Sequence, residues 1–570
     1  MRLRIGFLLI AMVVSVFAVR LFELQGVDAS AYVAKARAEG VVTVTLPAVR
    51  GSITDRNGAP LADSVDGLMI VADPTLTRKN ASDIATIIAR RLGVDYFDVL
   101  QRLRQPYTRF QYIARRVPAT EARAVVREID AHGYKGIATR RDPVRSYPGD
   151  DVAANIVGFL NAEGQGGEGA ELMFDRLLSG KDGRATYEVG GGNRIPLGDN
   201  STVPARSGHN LQLTIDRDVQ WYAQRALRDA VQSSRSNSGV AVVMDVHTGQ
   251  LLALADYPTF DPNSYQGVSK KRLGSRALRA MYEPGSVEKL LTSSALVNDH
   301  LVTPRTRIVV PPELPIADRV IHDDVAHPTW KLTLTGVIAR SSNIGISEAA
   351  SKISSRRLHH YLSEFGLGRR TGIGMHGESP GLLPPWQTWG PVNKANIAFG
   401  QGVAVTAVQM AAAVNTIANG GEYVAPSIVK GRATTNDGTA VGSDTVTRHR
   451  VISAATARKE TSMMETVTRD GGTAPGTAIP GYNVAGKTGT AQKVDQRCHC
   501  SSSARVVSFA GFAPADNPRF LVYVVADHPR NGGFGSTVAG PVFRELMGYV
   551  LQKYAVPPSG HVDRTPPLTW

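Results

Sequence analysis

The feature that most constrains this chain lies at its start. After Met1-Arg2-Leu3-Arg4, residues 5–19 (IGFLLIAMVVSVFAV) run without a charge. Such a run must be covered, by protein or by lipid. It is shorter than the ~20 residues that a bilayer span takes. Arg20 interrupts it and Leu21-Phe22 continue it. A basic side chain near one end of a span can reach back to the interface, which extends the usable segment to residue 22. Arg2 and Arg4 set the orientation. Basic flanks stay cytoplasmic, so residues beyond 22 are expected on the outer side. The alternative is a cleaved secretion signal. Its small-residue site, Ala29-Ser30-Ala31, lies far beyond the apolar run. The expectation is therefore a cytoplasmic tail at 1–4 and an uncleaved transmembrane anchor at 5–22.

The remainder has the composition of a folded protein. With 570 residues, 42% hydrophobic and 20% charged, three or four units are expected rather than a disordered polymer. The formal net charge of +14 suits an anionic partner such as a membrane surface or an acidic polymer. The basic residues are scattered and no nucleic-acid motif occurs, so nucleic acid is not expected as a partner. The two cysteines sit in Arg497-Cys498-His499-Cys500. No Cys-x-x-Cys pair exists, which argues against a structural zinc site, and a bridge across one residue would close a strained ring. Two free thiols in a loop are expected.

Residues 20–40 read as a juxtamembrane helix. Residues 41–64 alternate like strands and break at Asn57-Gly58, a hairpin signal. Amphipathic helices with short strands follow to about 135, then a Gly-rich loop feeding a helix at 145–180. Near residue 208 the pattern changes to long helices mixed with antiparallel strands. There Asp216 is a helix N-cap, and the strands of 239–255 turn at His247-Thr248-Gly249-Gln250. Residues 556–570 are Pro-rich and expected to be unstructured. No repeat of 20–50 residues is present.

Chemistry enters at Met281–Leu296 (MYEPGSVEKLLTSSAL). Pro284-Gly285 turns the chain into a helix with Ser286 in its first turn, and Lys289 shares its face at i+3. A serine hydroxyl needs a base to become a nucleophile, and a desolvated lysine can be that base. Alone, the spacing is an ordinary helix start. Ser341-Ser342-Asn343 places a hydroxyl and a carboxamide on one side in an extended or turn conformation. Alone, it caps the helix that follows. Lys487-Thr488-Gly489-Thr490 reads as a strand with a carboxylate-gripping lysine and threonines, in which Gly489 leaves room for a ligand against the backbone.

In this order, Ser-x-x-Lys, Ser-x-Asn and Lys-Thr-Gly are the three motifs of the penicillin-binding enzymes and serine β-lactamases. The chain resembles the class B penicillin-binding proteins, most closely the division-specific (septal) peptidoglycan D,D-transpeptidase. Arg50–Ala62 and Arg145–Gly180 are similar to the N-terminal pedestal of that class. Met244–Asn263, Ala398–Gly421 and Phe509–Pro529 are similar to its transpeptidase domain. No glycosyltransferase-like pattern and no PASTA repeat occurs. The resemblance implies an α/β (α+β) fold. A penicillin-binding/serine β-lactamase-like transpeptidase domain, an antiparallel sheet flanked by helices plus a helical subdomain, would occupy 208–555. It would stand on an α+β pedestal at 23–207, with a tail at 556–570.

The resemblance also implies roles. Ser286 would be the acylated nucleophile and Lys289 its base. Ser341 and Lys487 would relay a proton to the leaving amine, and Asn343 would orient Lys289 and substrate. Thr488, Gly489 and Thr490 would bind the terminal carboxylate, and the backbone N–H groups of Ser286 and Thr490 would form the oxyanion hole. No metal or cofactor is implied. Implied partners are D-Ala-D-Ala stem peptides, β-lactams, the membrane, a glycan polymerase of the shape, elongation, division and sporulation type, and other division proteins. The elongation-specific relative, a serine β-lactamase or D,D-carboxypeptidase, and a non-catalytic sensor or scaffold remain as alternatives. His322–His327 (HDDVAH) reads as a polar loop near the cleft rather than a metal site. His359-His360 reads as a solvated helix face, and Trp386 and Trp389 as packing or a cleft wall.

Overall fold

The computed structural model describes residues 2–23, 40–190, 193–194, 200–495, 500–560 and 565–570. The first apolar run forms one helix, Arg2–Phe22, of 21 residues. It continues through Arg20, whose guanidinium pairs with Glu23 at 2.5 Å. At ~1.5 Å per residue such a helix matches the ~30 Å of a bilayer's hydrocarbon core. Among the described residues it is the one helix long and apolar enough to cross a membrane. Most of the expected juxtamembrane helix, and Cys498, lie outside the described residues, as does the side chain of Cys500.

Two compact units divide the chain, and they interleave. The first comprises 1–50, 64–144 and 179–208; the second comprises 51–63, 145–178 and 209–570. A single boundary near 208 does not describe this division. The hairpin at 51–63 belongs to the larger unit because Ile53 and Thr54 pair in parallel with Leu211 and Gln212. The segment 145–178 joins it through Arg145 Nη1, which donates to Gly51 O at 2.9 Å, and through Ala153 N–H, which donates to Gln224 Oε1 at 3.0 Å.

The first unit is α+β. Gly67–Ala72 lies between Gln111–Pro118 and Ile137–Arg141 in an antiparallel sheet. Three helices, Ala81–Leu92, Tyr96–Leu103 and Ala119–Ala131, bury apolar positions three and four apart. Their core joins Ile70, Ile84, Ile88, Val99, Ile113 and Ile129. A separate antiparallel sheet pairs Val41–Leu46 and Ser201–Val203 with Gly183–Gly190.

The second unit is built on a five-stranded antiparallel sheet. Its spatial order is Leu251–Tyr257, Ser238–Asp245, Phe520–Asp527, Cys500–Ala513, Ala485–Asp495. The inner strands Ser238–Asp245 and Phe520–Asp527 are buried nearly throughout, so both faces must be covered. Helices Arg217–Ser233 and Gly535–Lys553 pack on the sheet and on each other. Ala407–Ala418, buried at every position, packs on the sheet and on the helices of the active-site side, Lys289–Asn298 and Ala454–Glu465. Asp216 caps Arg217–Ser233 by accepting from the backbone of Asp218 and Val219, as the sequence predicts.

Residues 565–570 of the Pro-rich tail depart from their expected disorder. Thr569 bridges antiparallel to Leu332, Thr333 N–H donates to Leu568 O at 3.0 Å, and Trp570 N–H donates to Lys331 O at 3.3 Å. Proline pre-sets an extended backbone at low entropic cost. Leu568 is half-buried, and the Trp570 ring takes the cationic groups of Arg307 and Lys331 at 5.0 and 5.4 Å.

Candidate active site

The nucleophile turn is set by its glycine. Gly285 has φ +56°, and a Cβ there would lie 2.8 Å from Thr490 O. Residues Gly285–Val287 form a 3-10 turn, and the α-helix starts only at Lys289. Ser286 therefore sits on a tighter turn just ahead of the helix rather than in its first α turn. Lys289, fully buried, donates to Ser286 Oγ at 3.0 Å. Its ammonium has three hydrogens, and two further acceptors receive them: Ser341 O at 2.5 Å and Asn343 Oδ1 at 2.7 Å.

The second segment ends one helix and starts another. Leu334–Arg340 closes with Ser341 in the left-handed region at φ +60°, where Ser341 N–H donates to Ile338 O and Ser342 N–H to Val337 O. That is a helix-ending geometry that favours glycine. Ser342 is the N-cap of Asn343–Ala350, its Oγ accepting from Gly345 N–H at 2.9 Å. The capping reading of Ser-Ser-Asn holds. The middle serine caps the helix, while Ser341 and Asn343 face Lys289.

The third segment is the sheet edge. Among the described residues, Ala485–Asp495 pairs with one strand, Cys500–Ala513, and an edge strand of this kind can take up an extended peptide. Lys487, fully buried, donates to Ser341 Oγ at 2.8 Å and Thr488 O at 3.0 Å. Thr488 Oγ1 lies 3.0 Å from Thr473 Oγ1, a partner the sequence reading missed because no local pattern links the two. Gly489 corrects an expectation. A Cβ there would meet Ser508 Oγ at 2.2 Å, Val287 Cγ2 at 2.9 Å and Pro284 O at 3.2 Å. The missing side chain makes room for the turn that carries Ser286, not for ligand.

Electrostatics follow from the burial. Desolvation lowers the Lys289 ammonium to about 8, against the opposing pull of Asp324, Asp323 and Glu288. Burial, then the Lys289 charge, pushes Lys487 well below the usual lysine range. Two buried ammonium groups sharing Ser341 disfavour double charging. At pH 7 a Lys289 titrating near 8 is neutral about a tenth of the time, enough to act as a base. Two carboxyls behind the site are also desolvated. Glu288 is pushed well up, and Glu460 rises to about 8. Glu460 Oε1 accepts from Ser293 Oγ at 2.7 Å.

The residues set aside in the sequence fall as follows. His327 and Asp323 pack beside the Ser-Ser-Asn motif, with Nε2 to Oδ2 at 3.0 Å. Among the described residues, no group of three or more His, Cys, Asp or Glu side chains is arranged to hold a metal. Trp389 is buried, its indole N–H donating to Pro384 O at 3.1 Å, and Trp386 is exposed. His360 is exposed, while His359 is half-buried, its ring 5.8 Å from that of Trp389.

An antiparallel sheet whose edge strand meets a Ser-x-x-Lys turn and a Ser-x-Asn corner defines the penicillin-recognising serine acyltransferases. The comparisons agree: residues 239–548 match the penicillin binding protein transpeptidase domain, and residues 45–213 match the penicillin-binding protein dimerisation domain. The chain belongs to the class B penicillin-binding proteins, which join those two domains. It is 36% identical to penicillin-binding protein PbpB of Mycolicibacterium smegmatis, over 100% of this chain and 92% of that protein. It is 34% identical to peptidoglycan D,D-transpeptidase FtsI of Escherichia coli, over 89% and 84%. Penicillin binding protein 3 of Mycobacterium tuberculosis complexed with aztreonam superposes with a TM-score of 0.71 at 31% identity, covering 92% of this chain and 99% of that one.

Proposed function

We propose that this chain is a serine-type D,D-transpeptidase that cross-links peptidoglycan stem peptides and is acylated by β-lactams. The observation that carries the reading is the path Ser286 Oγ, Lys289 Nζ, Ser341 Oγ, Lys487 Nζ, with contacts of 3.0, 3.4 and 2.8 Å. The relatives' names, among them a peptidoglycan D,D-transpeptidase, support the same chemistry.

In the first half-reaction Lys289 takes the Ser286 proton as Oγ attacks the carbonyl between the two terminal D-alanines. The oxyanion is received by the backbone N–H groups of Ser286 and Thr490. Each donor of this kind is worth about 3–4 kcal/mol in acyl transfer. The C–N bond breaks and the departing D-alanine amine is protonated through Ser341, replenished from Lys487. Thr488 and Thr490 hold the terminal carboxylate beside Lys487, and Asn343 holds the substrate backbone and Lys289. In the second half-reaction the amine of a neighbouring stem attacks the ester. Lys289 returns the proton it took to Ser286 Oγ, the surplus proton of the incoming amine passes through Ser341 to Lys487, and a cross-link is left. With a β-lactam the leaving group stays tethered.

The Arg2–Phe22 helix supports a single-pass anchor with the N-terminus cytoplasmic and both units outside, at the division septum. Partners there would be a membrane glycan polymerase and other division proteins. Transpeptidase duty at 208–555 and pedestal duty at 23–207 follow the family's division of labour. The test is fluorescent penicillin with the full chain in detergent. The native protein should carry one adduct, mapped by mass spectrometry to Ser286, and Ser286→Ala should carry none. An adduct elsewhere sinks the reading. Rapid hydrolysis of the adduct would favour a β-lactamase, and division supported by Ser286→Ala would favour a scaffold.

A further inference from the structure

The Ser-Ser-Asn corner is held by a loop that the reaction itself does not use. Asp323 Oδ1 accepts from the backbone N–H groups of Asn343 at 2.5 Å and Ile344 at 3.0 Å, and Oδ2 accepts from Ser342 Oγ at 2.7 Å. The carbonyl of His322 accepts from Asn343 Nδ2 at 3.0 Å. That contact turns the other end of the amide, Oδ1, toward Lys289. One loop therefore fixes both the backbone and the amide orientation of Asn343.

What fixes the loop is His327. Its side chain is 2% exposed and that of Asp323 is 6%. Nε2 lies 3.0 Å from Asp323 Oδ2, and Nδ1 lies 2.6 Å from Pro328 O. Both ring nitrogens face acceptors, the Asp323 carboxylate and the Pro328 carbonyl. Trp330 stacks on it at 3.7 Å with an interplanar angle of 15°, and the guanidinium of Arg340, the residue before Ser341, sits 4.7 Å from the Trp330 ring on its own account. A carboxylate that takes three donors from the catalytic corner and a fourth from a buried, stacked imidazole is held in one rotamer. Supporting partners of this kind decide whether a site is tight or loose.

We propose that His327 is a positioning residue for acylation: it orients Asp323, and Asp323 holds Ser342 and Asn343 so that Asn343 Oδ1 stays on Lys289. The inference rests on Ser286 being the acylated residue. The experiment is stopped-flow acylation by a fluorescent penicillin, separating the binding constant from the first-order acylation rate. His327→Ala should lower the acylation rate about tenfold, the scale of coupling within a contact network, with binding little changed and the adduct still on Ser286. His327→Gln, whose amide nitrogen can occupy the Nε2 position, should recover most of the loss. In a double-mutant cycle, His327→Ala should add little to Asn343→Ala. Should His327→Ala melt below the assay temperature, Asp323→Asn gives the same reading.

Native acylation rates in His327→Ala and Asp323→Asn overturn the inference. So do effects of His327→Ala and Asn343→Ala that multiply, or a loss confined to binding. If the native chain is not labelled at Ser286, the functional reading fails and the inference falls with it. If it is labelled and the His327 variants acylate normally, the inference alone fails.

Discussion

Ser341 occupies a backbone conformation at φ +60° that glycine enters freely and that costs other residues roughly 1 kcal/mol. Its hydroxyl is the compensation, because Lys487 donates to Ser341 Oγ at 2.8 Å. Stability and chemistry therefore pull in opposite directions at one position. Ser341→Gly is expected to unfold at equal or higher denaturant, by up to about 1 kcal/mol, while transpeptidation turnover falls at least a hundredfold. Urea titration and a cross-linking assay read the two effects separately. Lys289 supports a second prediction. Its proton must leave before Ser286 can be deprotonated, and it titrates at about 8. Acylation by penicillin should rise about tenfold per pH unit below pH 8 and level off above it. A rate independent of pH between 6 and 8 would remove Lys289 as the base. The types and spacing of these residues were legible in the chain. The hydroxyl of Thr473 on Thr488 and the carboxylate of Asp323 under Asn343 were not, since each is a contact across the fold with no local pattern.

At the scale of elements, local rules predicted well where local forces decide. Asn57-Gly58 turns a hairpin, with Ile53 opposite Ala62, and Asp216 caps its helix. They failed where a distant partner supplies the force. Gly489 reads as space for a ligand, yet the space is filled by Val287 and Ser508. The Pro-rich tail reads as free, yet it pairs with Trp330–Thr333, whose last residue N-caps the helix that ends at Ser341. Helix Ala454–Glu465 packs on Lys289–Asn298 with Glu460 buried between them. Its carboxyl rises from 4.5 to about 8, so the folded state holds a proton there that the unfolded chain has released. Between those values the folded form binds more protons, and stability falls as pH rises. Glu460→Gln should flatten that loss. The difference in unfolding free energy between pH 5.5 and 8.5 is expected to shrink by about 3 kcal/mol, measured by urea denaturation at each pH. An unchanged difference would place the alkaline loss elsewhere.

At the scale of the whole molecule, the apolar N-terminal helix and the chemistry are expected to be separable. A chain of residues 40–570 lacks the Arg2–Phe22 helix and keeps every active-site contact described above. It should remain with the aqueous phase when mixed with lipid vesicles, whereas the full chain floats with them. Its acylation constant should stay within about twofold of the full chain's, since a soluble penicillin needs no membrane. A vesicle-bound shortened chain would move the attachment to the two folded units and to the chain's excess of basic residues. By itself the sequence determined the apolar N-terminal helix, the class of enzyme and the residue types of the candidate site, because hydropathy, turn chemistry and motif spacing are properties of short segments. Only the tertiary structure decided how 51–63 and 145–178 join the larger unit, why Gly489 has no side chain, and which groups hold Asn343 on Lys289. Those depend on which distant atoms come within 3 Å, and that is fixed by packing around a common core rather than by any neighbour in the chain.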